Sequence, residues 1–235
     1  MTGQITTHIT PKISEGIYLV KDIAKILNLE YSKVYRWIVG YWGHGGLKED
    51  VDYTFGEFGS RAINFYSLIE FYTFFKLREK GISSTEIRKL HTKLGQTLNT
   101  NYPFTIAHDL WVENRNTSKR KVKKQFVYYK HLENVLKFDK KDQYSFDFII
   151  DNFLDKIEFN EDNIATRYFP LGLDKSVVVD PNHQFGQPTV LGTNIKTQTI
   201  FNLHKGGESI KNICTLYNLP PSKVEDAIDF HKLAA

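Results

Sequence analysis

Cysteine is almost absent from this 235-residue chain, which contains only Cys214. A single thiol excludes an internal disulfide, a thiolate zinc cage and a paired-cysteine redox motif. Long apolar runs are also missing, since no stretch approaches the ~18 to 20 residues that a membrane-spanning helix needs. The first sixteen residues resemble neither a secretory signal nor a transit peptide. We therefore expect a cytoplasmic protein without membrane contact.

Catalytic signatures are missing as well. The eight histidines are scattered without HExxH spacing, and no GxSxG motif is present. One acidic stripe, Asp147, Asp151 and Asp155, follows a helical spacing, but carboxylates along one straight helix diverge and favour a solvated face over a metal site. We expect no enzymatic activity, no cofactor and no metal.

A glycine-containing loop, VVVDPNHQFGQPTVLGTNI (177–195), raises the question of phosphate binding. A phosphate cradle needs Gly-Lys-Ser/Thr before a helix, whereas Gly186 is followed by Gln187 and Pro188. Proline removes an amide donor where the cradle needs one. The loop is therefore predicted to be structural, with a strand at its start, an unusual φ at Gly186 and a turn at Gly192.

The net charge of +4 is unevenly distributed. Residues 1–99 carry +3, residues 100–143 carry +5, residues 144–174 carry −5 and residues 175–235 carry +1. An excess of positive charge in the first 143 residues indicates a polyanionic partner for that part of the chain.

The stretch LVKDIAKILNLEYSKVYRWIVG (19–40) predicts two short helices joined by a tight turn. A small residue at Ala24 lets the helices approach, Asn28 tolerates positive φ in the turn, and Val34 packs inward. The second helix, about residues 31–39, then turns a polar and cationic face outward. We predict DNA contacts from this face, with an ordinary solvated corner as the alternative; its residues are Tyr31, Ser32, Lys33, Tyr35 and Arg36.

Two short strands, 52–55 and 62–65, are predicted to form a wing that carries Arg61 as a further DNA contact. A helix with a Ser67–Glu70 capping box and a stop at Gly81 follows, and then a helix with a Ser83–Glu86 box. Four aromatic residues of the first of these helices are expected in the core or in a dimer contact: Phe71, Tyr72, Phe74 and Phe75. Residues 17–98 resemble the DNA-binding region of MerR-type regulators in this order of elements.

The middle of the chain contains a predicted hairpin, with strands at 110–112 and 126–129. Near its tip lie six cations that are candidate contacts for nucleic acid or a protein partner, or else a solvated tip: Arg115, Lys119, Arg120, Lys121, Lys123 and Lys124. A helix is predicted around 146–157, followed by strands at 157–159 and 164–168.

The C-terminal stretch repeats the spacing of the first helical pair, with Cys214, Asn218 and Val224 in place of the small, turn and inward residues. Its last helix carries Glu225, Asp226 and Asp229, and carboxylates repel phosphates. We predict a unit for protein binding or dimerisation.

The loop 177–195 together with SIKNICTLYNLPPSKVEDAIDF (209–230) resembles the C-terminal domain shared by a group of VapB-type antitoxins. Upstream pieces, including INFYSLIEFYTFFKLREKGISSTEIRKL (63–90), are similar to the rest of the same proteins. The resemblance implies a protein that silences a PIN-like ribonuclease toxin and represses its own operon as a homodimer or a larger hetero-oligomer. A MerR-like regulator that responds to an organic ligand is the alternative.

These patterns together predict a predominantly helical α+β fold. The expected division is a winged helix-turn-helix domain at 1–104, an α+β segment at 105–172 and a small helix-turn-helix-like domain at 173–235.

Overall fold

The computed structural model describes residues 15–39, 53–56, 61–106, 110–116, 123–131, 134–138 and 154–233. Over these ranges the protein has the predicted α+β architecture, with eight helices and four small antiparallel sheets. Within the same ranges, no helix is long and apolar enough to span a bilayer.

The first helical pair forms as the sequence predicts. Strand β1 (Tyr18–Leu19) leads into α1 (Val20–Ile26), whose start is fixed by the Leu19 amide donating to the Asp22 carboxylate at 3.0 Å. Asn28 adopts φ +52 in the turn before α2 (Tyr31–Trp37), and Val34 is fully buried. We call α1, the turn and α2 (residues 20–37) the first corner.

The predicted wing differs from the structure. Phe55 and Ala62 exchange two backbone hydrogen bonds of 2.9 Å, but strand β2 (Ala62–Ile63) uses its other edge to pair with β1. Phe65, expected at the end of a wing strand, begins a helix because Asn64 caps it. The described residues therefore contain a single Phe55–Ala62 bridge in place of a two-stranded wing; residues 57–60, the expected tip, lie outside them.

Helix α3 (Phe65–Glu79) begins three residues earlier than the capping prediction implied. Asn64 accepts a hydrogen bond from the Ser67 amide at 2.9 Å, so the predicted Ser67–Glu70 box is wrong and both residues are buried inside the helix. Gly81, at φ +92, follows the end of α3 as predicted. The Ser83–Glu86 box is confirmed at the start of α4 (Ser84–Leu98), which is followed by the short α5 (Pro103–Ile106).

The four predicted aromatic residues of α3 belong to the core of this chain. Phe71, Tyr72, Phe74 and Phe75 are each at most 5% exposed. The carboxylate of Glu70 is buried beside them, where it accepts two hydrogen bonds from Thr105 and lies 3.0 Å from His91 Nε2.

The predicted hairpin is confirmed and extends further than expected. Strand β3 (Leu110–Asn116) pairs with β4 (Lys123–His131), and β4 also pairs with β5 (Asn134–Phe138), which the sequence did not predict. Most of the predicted helix at 146–157, with Asp147 and Asp151, lies outside the described residues. At its end, Leu154 leads into a turn, and Ile157 belongs to a strand rather than to a helical face.

The two predicted strands that follow are confirmed as β6 (Ile157–Phe159) and β7 (Ala165–Tyr168). Strand β8 (Val177–Val178) pairs with β9 (Thr189–Val190), and Val179 bridges Tyr168. Side chains from β6 and β7, with Val179, share one apolar core with the N-terminal helices.

Three helices complete the chain: α6 (Thr197–Lys205), α7 (Ile210–Tyr217) and α8 (Pro221–Leu233). Asn218 adopts φ +51 between α7 and α8, and Val224 is fully buried, so the repeated corner is confirmed. We call residues 210–233 the second corner. A second apolar core joins these helices to Val190.

Candidate functional site

The predicted DNA-contacting face of α2 is exposed only in part. Tyr31, Ser32 and Arg36 are exposed, whereas Lys33 and Tyr35 are half-buried. The rings of Tyr31 and Tyr35 stack with centroids 6.1 Å apart. This face offers one exposed cation, a hydroxyl and two stacked aromatic rings to a partner.

Lys33 differs from Arg36 in its surroundings. Its ammonium nitrogen lies 4.0 Å from the centroid of the Phe75 ring, a cation–π contact that holds the side chain against α3. Arg36 lies in the last turn of α2, where a cation also interacts favourably with the helix dipole. Arg36 is therefore exposed to solvent, whereas the Lys33 ammonium group is held against an aromatic ring.

Arg61, predicted at the wing, is half-buried directly before β2. Its Nη1 is buried and has no hydrogen-bond partner among the described residues. A buried guanidinium nitrogen without an acceptor is costly, so an anionic acceptor close to this position would be stabilising.

The structure describes only the backbone of the cationic hairpin. Arg115 pairs in backbone register with Lys124 on the neighbouring strand. Lys123 pairs with Asn116. Lys119, Arg120 and Lys121 lie outside the described residues.

The second corner presents fewer carboxylates than the sequence predicted. Asp226 is buried, and it accepts hydrogen bonds from the Ser176 amide at 2.9 Å and from Lys175 Nζ at 3.1 Å. Hydrogen bonding to this carboxylate raises the pKa of Lys175. Glu225 and Asp229 remain exposed on α8, and on α7 the apolar side chain of Leu216 is 67% exposed.

The backbone of the glycine-containing loop has the conformation predicted for it. Gly186 adopts φ +79 and Gly192 adopts φ +78, while Gln187 before Pro188 is extended. Phe185 adopts φ +55 and is 76% exposed, a conformation that the sequence did not reveal. The loop also contacts the residue that precedes β1, because the Ile17 amide donates to the Phe185 carbonyl at 3.2 Å.

A contact between α1 and the C-terminal helices was also missed by sequence reasoning. Lys25 Nζ donates to the Gln198 side-chain oxygen of α6 at 2.7 Å. Behind it lies His231, which is 4% exposed and hydrogen-bonded to the Thr197 hydroxyl at 3.0 Å. Burial and then the charge of Lys25 lower the pKa of His231 to about 4. The imidazole is therefore neutral at pH 7.

A cleft of about 180 Å³ opens where α1, α3, the segments flanking β6 and β7, and α8 meet. Three lysines from three parts of the chain line it, Lys25, Lys76 and Lys156, and we call it the lysine cleft. Its apolar wall includes Leu27, Phe230 and Leu233. No sequence signal pointed to this cleft, since its residues are far apart in the chain.

We next consider metal binding in the part of the chain that the structure describes. No group of three or more histidine, cysteine, aspartate or glutamate side chains there is arranged to hold an ion.

Comparison with known proteins identifies relatives of part of the chain. Residues 177–231 match the family described as protein of unknown function (DUF433). The chain is 30% identical over 88 residues, 37% of its length, to the protein named "Putative antitoxin VapB45" from Mycobacterium tuberculosis. It is also 34% identical over 65 residues, 26% of its length, to uncharacterized protein Rv2308 of the same organism. These matches span only 37% and 27% of the relatives' own lengths.

The fold resembles a solved structure along most of the chain. The crystal structure of Rv2018 from Mycobacterium tuberculosis aligns with a TM-score of 0.59 and 18% sequence identity. The alignment covers 90% of this chain and 97% of the other. The two proteins therefore share an overall fold.

Proposed function

We propose that this protein is the antitoxin of a toxin–antitoxin system and has no enzymatic activity of its own. The observation that carries the proposal is the 30% identity to a protein named as an antitoxin, together with the match of residues 177–231 to DUF433. The VapB-type resemblance extends the proposal to a PIN-like ribonuclease as the toxin.

We further propose that the first corner binds operator DNA so that the protein represses its own operon. Arg36, Ser32 and Tyr31 are exposed on one short helix, which is the set of donors and rings that a DNA backbone contact uses. Lys33 joins them after leaving the Phe75 ring, and Tyr35 supports Tyr31 by stacking. Arg61, half-buried directly before β2, is a further proposed phosphate contact.

The cationic hairpin supplies a further candidate contact. The backbone register places position 115 opposite position 124, so the sequence brings two cationic residues to neighbouring positions of one hairpin. Nucleic acid and an acidic protein surface are both candidate partners.

The second corner is the proposed toxin-binding surface. Exposed Glu225 and Asp229 repel phosphates, so this surface does not suit DNA. A ribonuclease, in contrast, needs a cationic surface to hold RNA, and that surface complements carboxylates. Leu216 of α7 provides an exposed apolar side chain in the same corner.

We assign the proposed functions to the three predicted parts of the chain. Residues 1–104 bind DNA, residues 105–172 carry the cationic hairpin, and residues 173–235 bind the toxin. A homodimer, or a larger complex with the toxin, would present two first corners to a palindromic operator.

Co-expression with the neighbouring gene tests the antitoxin function. We expect a small nuclease to co-purify in a fixed ratio with the tagged protein and its ribonuclease activity to fall when the complex forms. The double variant Glu225→Lys/Asp229→Lys should release the nuclease, and Lys205→Glu, an exposed change on α6, should not. A neighbouring product without ribonuclease activity, or without affinity for the protein, would overturn the proposal.

A further inference from the structure

We propose that the lysine cleft is a binding site for a small organic anion, a carboxylate or a phosphate with an apolar portion. The site joins the first corner to α3 and α8. It does not depend on the antitoxin function, and it gives the ligand-responsive regulator, the alternative function, a physical site.

Two of the three lysines donate their hydrogen bonds to neutral acceptors. Lys25 Nζ donates to the Gln198 amide oxygen at 2.7 Å, and Lys156 Nζ donates to the Pro170 carbonyl at 2.6 Å. Both acceptors are neutral, and among the described residues neither ammonium group lies within 4 Å of a carboxylate. The third cation, Lys76, forms an ion pair with Glu79, with Lys76 Nζ 2.8 Å from Glu79 Oε2. Lys76 lines the cleft, whereas Glu79 is not among the lining residues.

The pKa directions agree with this arrangement. Burial lowers the pKa of Lys156 and the positive charge of Lys76 lowers it further, while the negative charge of Asp155 opposes both effects. Burial also lowers the pKa of Lys25, with Asp22 opposing the effect. A bound anion would reverse both trends because it favours the charged form of each lysine.

The walls of the cleft define the class of ligand. Leu27, Phe230 and Leu233 contribute apolar surface, and Tyr72 contributes a ring. Ligand sites commonly combine such walls with a few convergent polar groups. A volume of about 180 Å³ suits a compact molecule, such as an aromatic acid or a phosphate monoester, rather than a nucleotide or a peptide.

A ligand in the cleft would also contact the first corner, which is the proposed DNA-binding surface. Asn28, whose positive φ sets the angle between α1 and α2, lines the cleft next to Leu27. A ligand held between this turn and α8 would favour one position of the first corner. Because coupling between two binding sites is reciprocal, operator DNA and ligand would alter each other's affinity by the same factor.

Calorimetric titration of the full chain with phenyl phosphate, benzoate and inorganic phosphate tests the site. We expect saturable binding of at least one of the two aromatic anions and none of benzyl alcohol, which has the ring without the charge. A preference for phenyl phosphate identifies a phosphate site, and a preference for benzoate identifies a carboxylate site. If inorganic phosphate binds as tightly as phenyl phosphate, the ligand does not need an apolar portion and that part of the proposal is wrong. If neither aromatic anion binds, the proposed site is wrong.

Variants locate the binding. Lys156→Met and Lys76→Met should each weaken it about tenfold, since each removes a charged donor. The exposed Lys211→Met change on α7, outside the cleft, should leave it unaltered. Nuclear magnetic resonance of the ¹³C-dimethylated lysines provides a readout without substitution: the pKa of Lys156 should rise when the aromatic anion is added. An unchanged lysine pKa at saturation, or equal weakening by Lys211→Met, would place binding elsewhere.

Discussion

The hydroxyl of Tyr18 lies directly beneath Gly186. A β-carbon added to Gly186 would stand 2.1 Å from that oxygen, and Tyr18 itself is completely buried. The contact joins the first strand to a loop almost 170 residues later in the chain. Glycine is required here for two separate reasons, the absence of a side chain and a φ of +79.

A pair of glycine substitutions separates these two reasons. Gly192 has nearly the same φ, +78, but only Lys223 Nζ, at 3.9 Å, lies near its missing β-carbon. Gly192→Ala should therefore cost about 1 kcal/mol of unfolding free energy, from backbone strain alone. Gly186→Ala should cost about 2 kcal/mol more, because the methyl group collides with the Tyr18 ring. Urea unfolding of both variants gives the difference, and equal costs would show that the Tyr18 contact is not rigid.

Tyr18→Phe is expected to be nearly neutral or stabilising. The buried hydroxyl has no hydrogen-bond partner among the described residues, so removing it eliminates a desolvated polar group while the ring stays in place. Thermal unfolding compared with the wild type measures the effect. A loss of more than about 1 kcal/mol would reveal a polar partner for this hydroxyl.

The proposed DNA contacts of the first corner predict a salt dependence that can be measured. Replacing both Lys33 and Arg36 by alanine should weaken operator binding and reduce the slope of log K against log salt by about 2, since each phosphate contact contributes roughly 0.9. Arg36→Ala alone should account for about half of this change. Lys33→Ala should in addition lower the unfolding free energy by about 0.5 to 1 kcal/mol, because its contact with Phe75 is lost.

Fluorescence anisotropy at several salt concentrations measures these slopes. Lys211→Ala, an exposed substitution on the second corner, serves as the control and should leave the slope unaltered. A double variant at positions 33 and 36 with the wild-type slope would remove the first corner from the DNA interface.

The buried His231 predicts a loss of stability in mild acid. Its pKa is about 4 in the folded chain and 6.5 for an ordinary histidine, so between these values the unfolded chain binds more protons. Stability therefore falls as the pH drops from about 6.5 toward 4, by up to about 2 kcal/mol at pH 5. Urea unfolding of the wild type and of His231→Gln at pH 7 and pH 5 should show a smaller fall for the variant. Equal falls would assign the acid sensitivity to other groups.

Two aspartates of α8 provide a matched comparison of burial. Asp226 accepts hydrogen bonds from the Ser176 amide and from Lys175 Nζ. Asp229 is exposed, and its Oδ1 lies 3.5 Å from Lys232 Nζ. Asp226→Ala should lower the unfolding free energy by about 2 kcal/mol because it leaves a partly buried amide without an acceptor. Asp229→Ala should change it by less than about 0.5 kcal/mol. Similar values from denaturant titration would mean that the Asp226 contacts are not maintained in solution.

Local patterns in the sequence predicted much of this fold. Asn28 and Asn218 were identified as turn residues from spacing alone, and both adopt left-handed backbone conformations. The capping prediction at Ser67 failed because two candidate caps compete there, and Asn64 starts the helix one turn earlier. Glu70 then points into the core, where Thr105 donates hydrogen bonds to Oε1 and His91 Nε2 lies 3.0 Å from Oε2. The residue that hydrogen-bonds to buried Glu70 is Thr105, which lies 35 positions later in the chain, so no local sequence pattern predicts the contact.

Much of the candidate site lay beyond sequence reasoning for the same reason. Outward spacing on α2 correctly predicted that Arg36 is exposed, but the ring that holds Lys33 comes from α3. Helical spacing likewise grouped Asp226 with two exposed acids, although a backbone amide 50 residues earlier draws it inside. The lysine cleft combines residues separated by as many as 208 positions, so only the folded chain brings them together.

The shared core has a consequence for the order in which the protein matures during synthesis. Ala24 and Val34 pack into the same cluster as Tyr168 and Val179, which a ribosome adds about 150 residues later. At translation rates of 5 to 20 residues per second, that delay lasts about 8 to 30 seconds. A nascent chain therefore carries the sequence of its first corner well before it can complete the core behind it. Truncated products and stalled chains that end before Tyr168 would lack part of the core against which the first corner packs.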